Sequence, residues 1–503
     1  MSVPGVEPLY VAPDPGADPV RETLARAREA GERWAATDLV ERIAVLRAAR
    51  HRLADRARAM ADSVRVVGRT VGDTLATEVL PLADAIRHTE REAARVLGPR
   101  RPARRLRPGW LLGVSVEVRR EPWGVVLIVG PSNYPLLLPA VQAVQAIAAG
   151  NAVVIKPGSG GGEAALAFAG ILADAGLPPS VLTVLGEHPD QARAAIDEAV
   201  DKVVLTGSRS TGRAIAAELA RLGTPSTMEL SGSDAVYVLP GADLDLVARG
   251  MRFGVTLNGG ATCIAPRRLF VSREEAAELE RRIVARLSPV GAIPAGPDAI
   301  ERAAAAVRAA VSRGARVATG GEVRDSAMEP TVLVNVPHDA AILAEDLFAP
   351  VLSMIAVDDM DQALALDRGC PYALGAVVFG PVDEATAFAR RIDAGVVVVN
   401  DVVVPTADPR VPFGGRRASG HGTTRGSEGL LEMTRPKAIA VRRARSYPHL
   451  DPPTGAEAEL FTAWIEAAHR RSWIERLGAL PSLIRALRSA SKGSRRGAGG
   501  PRP

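Results

Sequence analysis

The feature that most constrains the fold is a long segment without a charged side chain, which runs from Pro122 to Ile155. It exceeds the roughly 20 residues that a membrane-spanning helix needs. Helix-breaking residues interrupt it, however, at Gly130, Pro131, Pro135, Pro139 and Gly150. We therefore predict a buried strand, a loop with a helix, and a second buried strand, at Val125–Val129, about Leu138–Ala149 and Ala152–Ile155. Such uncharged strands are typical of a parallel sheet that is covered on both faces.

The alternation of short apolar runs with helical segments continues along the chain. We predict further strands at Val181–Leu185 and Lys202–Thr206, with helices at Glu163–Ala175 and Thr211–Arg221. A second α/β series follows at Ala235–Leu239, Arg268–Val271, Arg273–Leu287, Asp298–Arg313, Val317–Thr319, Val351–Val357, Ala376–Phe379 and Val396–Asn400. This order predicts an α/β fold with a Rossmann-like parallel sheet and a second α/β domain.

Charge and cysteine content exclude several classes of protein. Two cysteines are too few for a disulfide framework or a multi-cysteine zinc site, and we predict no metal. The net charge of +5 comes mainly from Arg100–Arg107 and from the tail beyond Arg442, so we predict no nucleic-acid partner. The first residues lack the basic and apolar regions of a signal peptide, which predicts a cytoplasmic location.

One of the cysteines, Cys263, follows a small, glycine-rich turn that begins at Asn258. Small residues leave space beside the sulfur and let backbone amides approach a substrate. Because a thiolate is a strong nucleophile, the turn predicts covalent catalysis at Cys263. The alternative is that Cys263 is a small buried hydrophobic residue, since free cysteine is among the most buried residue types.

Short motifs elsewhere in the chain bear on this alternative when they are taken in order. Together they resemble the aldehyde dehydrogenase superfamily over roughly residues 20–440, and the Gly-Pro-Ser-Asn-Tyr-Pro loop and long C-terminal extension are similar to its class-3-like branch. The motifs lie at Gly124–Pro135, Gly150–Pro157, Thr206–Gly212, Met228–Gly232, Cys263, Glu345–Val351, Gly395–Asn400, Pro412–Gly415 and Ser419–Gly422. The resemblance implies oxidation of an aldehyde substrate to a carboxylic acid with NAD or NADP.

The resemblance also implies roles for three residues. Cys263 would attack the aldehyde to form a thiohemiacetal, and loss of hydride would leave a thioester. The side chain of Asn133 and the backbone amide of Cys263 would stabilise the oxyanion. Glu229 would activate the water that hydrolyses the thioester. Without the resemblance, Asn133 reads as a turn residue and Glu229 as a solvated strand end.

The resemblance also implies which residues bind the cofactor. Lys156 would bind ribose hydroxyls, and Ser159 stands three residues later, where the NAD-preferring pattern has glutamate, so we predict that NADP is accepted. Gly207, Ser208 and Gly212 open a helix after a strand and would face the pyrophosphate, or they form an ordinary strand-to-helix turn.

A second pair of cofactor residues would serve the nicotinamide end. Asp346 would bind the nicotinamide ribose, with one methylene fewer than the usual glutamate, and Phe348 would pack by the nicotinamide. The chain departs from the family pattern at positions that surround the reacting groups, so the substrate class does not carry over. These positions are Ser231, Ser233, Gly259, Ala261 and Ala349.

The domain boundaries are predicted from the motif positions and from composition. We expect a cofactor domain at residues 1–105 and 121–230, a catalytic domain at 231–425, oligomerisation strands at 106–120 and 430–445, and an extension at 446–503. The resemblance implies a homo-oligomer, either a dimer or a tetramer. Residues 460–488 combine an apolar helical stripe with arginines, so they can lie on an anionic membrane, pack on a partner subunit or cover their own domain. Residues 489–503 are rich in Gly, Ser and Arg, which predicts disorder.

Two alternatives to hydrolytic aldehyde oxidation stay open at this point. One is a CoA-acylating aldehyde dehydrogenase or acyl reductase, in which the thioester passes to coenzyme A. Glu229 disfavours it, because a deacylating base favours hydrolysis. The other is a non-catalytic scaffold that binds the cofactor.

Overall fold

The computed structural model describes residues 17–443, 447–450 and 455–497. The described residues form two units, one within 1–99 and 118–437 and the other within 100–117 and 438–503. Among them, no helix is both long enough and apolar enough to cross a membrane.

The N-terminal part of the larger unit is helical. Its amphipathic helices bury one face each, and the Trp34 indole donates a hydrogen bond of 2.9 Å to the carbonyl of Ile147. A π-helical turn, Leu75–Val79, separates the last two helices. The helices are α1 (Ala17–Ala36), α2 (Leu39–Asp55), α3 (Ala57–Asp62), α4 (Val71–Thr74) and α5 (Leu80–Leu97).

A six-stranded sheet occupies the middle of the chain. Strand β1 (Val114–Pro122) precedes this sheet and is not part of it. Five strands of the sheet follow in the chain, β2 (Val125–Val129), β3 (Ala152–Lys156), β4 (Leu182–Val184), β5 (Lys202–Thr206) and β6 (Ser226–Glu229). The connecting helices are α6 (Leu137–Ala149), α7 (Gly162–Asp174), α8 (Pro189–Asp197) and α9 (Arg209–Leu222). Strands β2 to β6 are parallel in the order β6-β5-β2-β3-β4. Every residue of β2, α6 and β3 is buried, which confirms the covered parallel sheet predicted from the uncharged segment.

The second half of the larger unit contains a seven-stranded sheet and smaller sheets. Its strands are β7 (Asp234–Val238), β8 (Pro266–Ser272), β9 (Ile293–Pro294), β10 (Arg316–Thr319), β11 (Val323–Arg324), β12 (Ala327–Met328), β13 (Thr331–Val334), β14 (Val351–Val357), β15 (Tyr372–Ala373), β16 (Gly375–Phe379), β17 (Val396–Val399), β18 (Arg416–Arg417), β19 (Gly420–His421) and β20 (Thr434–Arg442). The helices here are α10 (Leu244–Thr256), α11 (Arg273–Leu287), α12 (Pro297–Ser312), α13 (Met360–Arg368), α14 (Val382–Ala389) and α15 (Gly426–Glu432). The order in the large sheet is β10-β13-β14-β8-β7-β16-β17, and only β10 is antiparallel to its neighbour.

One distant segment completes the six-stranded sheet. Strand β19 pairs antiparallel with β6, so that Gly420 lies opposite Glu229. The hydroxyl of Ser419 donates to the carbonyl of Ser231 at 2.7 Å, next to this pair. The last sequence motif, Ser419–Gly422, therefore lies beside the predicted general base Glu229, although the two are far apart in the chain.

The smaller unit contains two C-terminal helices, α16 (Glu457–His469) and α17 (Trp473–Gly497). Where the side chains are described, the helices bury three alanines, Ala463, Ala479 and Ala486, and expose most of the larger apolar residues. The disorder predicted for residues 489–503 is corrected in part, because α17 continues to Gly497, and residues 498–503 lie outside the described residues. Arginine, alanine and lysine are good helix formers, so low hydrophobicity alone does not stop a helix.

Candidate active site

The loop that precedes Cys263 has an unusual backbone. Helix α10 ends at Thr256, and Asn258, Gly259 and Gly260 then adopt φ values of 53°, 63° and 77°. A Cβ atom would lie 2.6 Å from the carbonyl oxygen of Pro294 at position 259, and 2.5 Å from the carbonyl carbon of Ala349 at position 260. Both positions therefore require glycine for conformation and for space. This explains the glycine at position 259, where the family pattern has a larger residue.

The Cys263 thiol lies in an environment that disfavours its thiolate form. Burial raises the pKa of Cys263, and the negative charges of Glu229 and Asp234 raise it further, whereas Arg425 opposes them. Because the thiolate is the nucleophile, the thiol needs a proton acceptor before it can react. The second cysteine, Cys370, is also free and is buried.

Glu229 ends strand β6 and is almost completely buried, with 2% of its surface exposed. Its Oε2 accepts a hydrogen bond of 2.9 Å from the Thr424 hydroxyl, and its Oε1 has no partner among the described residues. Burial raises the pKa of Glu229, while Arg425 and the Thr424 hydrogen bond lower it. A carboxylate with a raised pKa and a free oxygen is suited to accept a proton near neutral pH.

The segment after Glu229 lies against the backbone of the nucleophile. A Cβ atom at Gly232 would lie only 2.3 Å from the Cys263 carbonyl oxygen. No residue other than glycine fits at this distance. The close approach places the two predicted catalytic residues on adjacent segments.

Asn133 connects its own loop to the nucleophile loop. Its Nδ2 donates a hydrogen bond of 2.8 Å to the carbonyl of Ala261, and the neighbouring Tyr134 hydroxyl lies 2.8 Å from the Thr262 hydroxyl. A side-chain amide has two N–H groups, and this contact uses one of them. The predicted oxyanion role therefore depends on the second N–H, and it stays a prediction.

A buried ion pair that the sequence did not predict holds these two loops. Arg69 is paired with Glu78, and their side chains are 3% and 0% exposed. Arg69 also donates to the carbonyl of Asn133 at 2.6 Å and to Asn258 Oδ1 at 3.2 Å. Glu78 Oε2 accepts from the amides of Leu136, which precedes α6, at 2.8 Å and of Leu137, which begins it, at 2.9 Å. The pair thus fixes both the Asn133 loop and the Cys263 loop.

The predicted cofactor residues Lys156, Ser159 and Ser208 lie at or just beyond the carboxyl-terminal ends of parallel strands, where nucleotides bind in such sheets. Lys156 ends β3 and is 8% exposed, so that burial lowers its pKa. Ser159 lies in the exposed loop before α7. Ser208 caps helix α9 by accepting a hydrogen bond of 3.1 Å from the Thr211 amide.

The expectation that Gly207 and Gly212 face the pyrophosphate requires a correction. The Gly207 amide donates to the carbonyl of Glu229 at 3.1 Å, and the Gly212 amide donates to the carbonyl of Ser208 at 2.9 Å. A Cβ atom at Gly212 would collide with Leu230 at 2.5 Å, so this glycine permits close packing of the helix. In the first turn of α9, the amides left for an anion are therefore those of Arg209 and Ser210.

Asp346 and Phe348 lie in a strained loop before β14. Asp346 Oδ1 is buried without a hydrogen-bond partner among the described residues, and burial raises the pKa of Asp346 to about 6. Phe348 has a φ of 48°, which is rare for a bulky side chain and is often found at functional sites. The unpartnered oxygen fits a ribose hydroxyl, so the residues present fit the predicted dinucleotide.

Arg267 is a further buried residue that the sequence did not predict. It is 4% exposed and donates to the carbonyl of Gly260 in the nucleophile loop and to that of Ala349 in the Phe348 loop. It therefore joins the two loops. A charged residue within strand β8 gives no sign in the sequence of such burial.

The structure therefore brings the predicted catalytic residues into one cluster. Asn133 contacts the nucleophile loop, the segment after Glu229 approaches Cys263, and the charge of Glu229 acts on the thiol. Within the described ranges, no group of three or more His, Cys, Asp or Glu side chains lies close enough to hold a metal ion.

A known protein family matches most of the chain. Residues 6–439 match the model of the aldehyde dehydrogenase family. A putative succinate-semialdehyde dehydrogenase [NADP(+)] of Mycolicibacterium smegmatis is 30% identical over 471 residues, which cover 90% of each chain. The 4,4'-diapolycopene aldehyde oxidase of a Methylomonas species is 28% identical, over 89% of this chain and 86% of that protein.

Solved structures give the same result. The Mycobacterium tuberculosis aldehyde dehydrogenase complexed with NAD+ superposes with a TM-score of 0.80 at 26% identity, covering 86% of this chain and 92% of that one. The NAD-dependent aldehyde dehydrogenase of Sinorhizobium meliloti gives a TM-score of 0.81 at 28% identity, with 87% and 90% covered. The family match spans most of the sequence and the site has the residues that the motifs predict; the chain belongs to the aldehyde dehydrogenase family.

Proposed function

We propose that this protein oxidises an aldehyde to the carboxylic acid with NAD(P)+ through a thioester on Cys263. The observation that carries the proposal is a protonated, half-buried thiol on a segment adjacent to that of a buried carboxylate. Cys263 and Glu229 interact electrostatically, and Glu229 keeps one oxygen without a partner. A nucleophile beside a base with a raised pKa is the arrangement that acyl transfer requires.

In the proposed first step, the Cys263 thiol gives its proton to water and the sulfur attacks the aldehyde carbon, so that Glu229 stays unprotonated for the hydrolysis that follows. The oxygen becomes an oxyanion, which accepts hydrogen bonds from the free N–H of Asn133 and from the Cys263 amide. Arg69 and Arg267 hold the loops that carry these donors. The chemistry that a bound NAD(P)+ supplies is acceptance of the hydride that leaves this carbon.

Loss of the hydride leaves a thioester on Cys263, which water must hydrolyse. Glu229 accepts a proton from the attacking water, and its raised pKa makes it an effective base near neutral pH. The Thr424 hydroxyl holds Oε2, so Oε1 is the oxygen left for the proton. Hydrolysis is therefore favoured over transfer to coenzyme A.

The proposed cofactor residues are Lys156 and Ser159 at the adenosine ribose, the α9 N-terminus with Ser208 at the pyrophosphate, and Asp346 with Phe348 at the nicotinamide end. Ser159 leaves room and a donor for a 2′-phosphate, which supports acceptance of NADP. Relatives named as NADP(+)-dependent succinate-semialdehyde dehydrogenases support a small aldehyde as substrate. We place the protein in the cytoplasm.

A panel of aldehydes assayed with NAD+ and NADP+ in parallel tests the proposal, with reduced cofactor followed by its absorbance. We expect turnover in the absence of coenzyme A, and loss of steady-state turnover in Glu229→Gln with a remaining burst of about one equivalent of reduced cofactor per site. Turnover that requires coenzyme A would instead support an acylating enzyme. If no aldehyde yields reduced cofactor and Cys263 resists alkylation, the protein is a non-catalytic scaffold.

We further propose that the protein is a homo-oligomer, a dimer or a tetramer, formed through the two-stranded sheet of β1 and β20. Support comes from the exposure of β20, which presents Ile439 and Val441 to solvent. Light scattering coupled to size exclusion gives the mass. Ile439→Lys and Val441→Lys together should shift it toward the monomer, and an unchanged mass would exclude this interface.

Residues 460–488 are also proposed to make a peripheral membrane contact, at the inner membrane face. The apolar side chains exposed on α16 and α17 are Phe461, Ile465, Trp473, Ile474, Leu477, Leu480, Ile484 and Leu487. Exposed arginines, including Arg471 and Arg485, accompany them, which favours anionic lipids. Sedimentation with phosphatidylglycerol vesicles should carry the protein down, and phosphatidylcholine vesicles should not. If the protein sediments with neither kind of vesicle, this face does not bind membrane and we would assign it to contact with a partner subunit.

A further inference from the structure

Helix α7 begins beside a carboxylate that comes from a different part of the chain. Glu187 follows strand β4, and its Oε2 accepts a hydrogen bond of 2.7 Å from the Gly160 amide while Oε1 accepts one of 2.8 Å from the Gly162 amide. These glycines lie in the loop after Lys156. Glu187 therefore holds the N-terminal end of the helix that the proposed adenosine site contains.

The sheet topology brings Glu187 to Lys156. Strands β3 and β4 are parallel neighbours, with Ile155 opposite Val184, so the residues after each strand meet at the same edge. The charge of Glu187 acts on Lys156, raising its pKa against the effect of burial. Lys156 itself is 8% exposed, and no hydrogen bond from its ammonium group is found among the described residues. Lys156 and the Glu187 carboxylate thus lie at the same end of the sheet.

We infer that Glu187 is the residue that discriminates between NAD+ and NADP+ in this protein, an inference that rests on the proposed dehydrogenase function. Amides at a helix N-terminus are natural donors to a phosphate group. Here Glu187 already accepts from two such amides, and its negative charge repels a second anion. A 2′-phosphate must displace or tolerate this carboxylate, whereas an unmodified ribose need not.

This inference changes the expectation that was based on Ser159. Serine at position 159 removes the carboxylate that the NAD-preferring pattern carries on the same loop. Glu187 returns a carboxylate to that loop from the next strand. NADP+ is therefore accepted, as Ser159 allows, but the charge of Glu187 makes NAD+ bind at least tenfold more tightly.

The test measures dissociation constants of NAD+ and NADP+ by calorimetry, which does not depend on turnover. The variant is Glu187→Gln, which removes the charge and keeps an acceptor. The control is Asp190→Asn, because Asp190 carries the same charge three residues later and is paired with Arg193. In Glu187→Gln the ratio of the NADP+ to the NAD+ dissociation constant should fall at least tenfold, and in Asp190→Asn it should change less than twofold.

The outcomes separate this inference from the proposed function. If both cofactors bind and the ratio is unchanged in Glu187→Gln, or if both weaken in parallel, Glu187 only caps helix α7 and the inference is wrong. If neither cofactor binds to the native protein, the proposed function itself fails. The ratio of kcat/KM values for the two cofactors gives a second readout, which should move in the same direction as the binding ratio.

Discussion

The buried pair of Arg69 and Glu78 gives the sharpest prediction about the positioning of the catalytic loops. The perturbation is Arg69→Met, which keeps an unbranched apolar stem and removes the guanidinium. Glu78 is then left without its ion-pair partner at 0% exposure, although it still accepts from the amides of Leu136 and Leu137. Removing one member of a buried pair costs about 3–5 kcal/mol.

This free energy can be converted into a melting temperature. An unfolding entropy of about 2.1 cal/mol/K per residue gives about 1 kcal/mol/K for 503 residues. Arg69→Met should therefore lower the Tm by about 3–5 °C, compared at one scan rate because large proteins often unfold irreversibly. The control Arg58→Met removes an exposed pair with Asp62 and should change the stability by about 0.5 kcal/mol or less.

The kcat of the folded variant provides a second measurement, which a purely structural role of Arg69 would leave unchanged. Arg69 donates to the carbonyl of Asn133 and to Asn258, so its loss releases the proposed oxyanion donor. Loss of one such donor costs roughly 100-fold to 1000-fold in kcat, and a displaced donor should cost roughly 10-fold to 100-fold. We expect this loss in kcat at a temperature where the variant is fully folded, with a smaller change in KM.

The double variant Arg69→Met with Glu78→Gln separates pairing from other effects. Since the two residues are coupled, its cost should be smaller than the sum of the two single variants. Additive costs, or an Arg69→Met variant with unchanged Tm and kcat, would refute the reasoning.

Three further predictions concern titratable groups of the site. Thr424→Val removes the hydrogen bond that lowers the pKa of Glu229, so the acid limb of the pH profile of kcat should move to higher pH. The control Thr424→Ser keeps the hydroxyl and should leave the acid limb in place. An unmoved acid limb in Thr424→Val would contradict this prediction. Burial raises the pKa of Asp234 from 3.8 to about 7. Between about pH 4 and pH 7 the Asp234 carboxyl is therefore protonated in the folded state and ionised in the unfolded state. Because the folded state binds more protons, this group makes the free energy of unfolding fall as the pH rises from about 4 to 7. Asp234→Asn should therefore raise the Tm at pH 8 and not at pH 4, and an equal change at both pH values would rule this out. Alkylation by iodoacetamide should label Cys263 faster as pH rises, with Cys370 unlabelled in the folded protein; peptide mass mapping decides between them.

The sequence by itself determined the elements of the fold and the order of the chemical groups. Strand β5, helix α11 and strand β14 have the bounds that the apolar pattern predicts, because burial on a sheet or a helix face leaves a local periodic signal. Strand β13, with four buried residues, was not predicted, since so short an apolar run resembles many loops. Cys263, Glu229 and Asn133 were found because each lies in a motif that can be recognised within a few residues.

Only the tertiary structure decided what surrounds these groups. Arg69, Glu78 and Arg267 are charged residues, which are usually exposed. In this fold they are buried, and their hydrogen bonds connect neighbouring loops. Glu187 lies 28 residues beyond Ser159 in the chain, and only the pairing of β3 with β4 brings it to the same helix end. A sequence records which groups are present, but the contacts that tune them depend on which strand ends meet, and parallel pairing joins positions that are far apart in the chain.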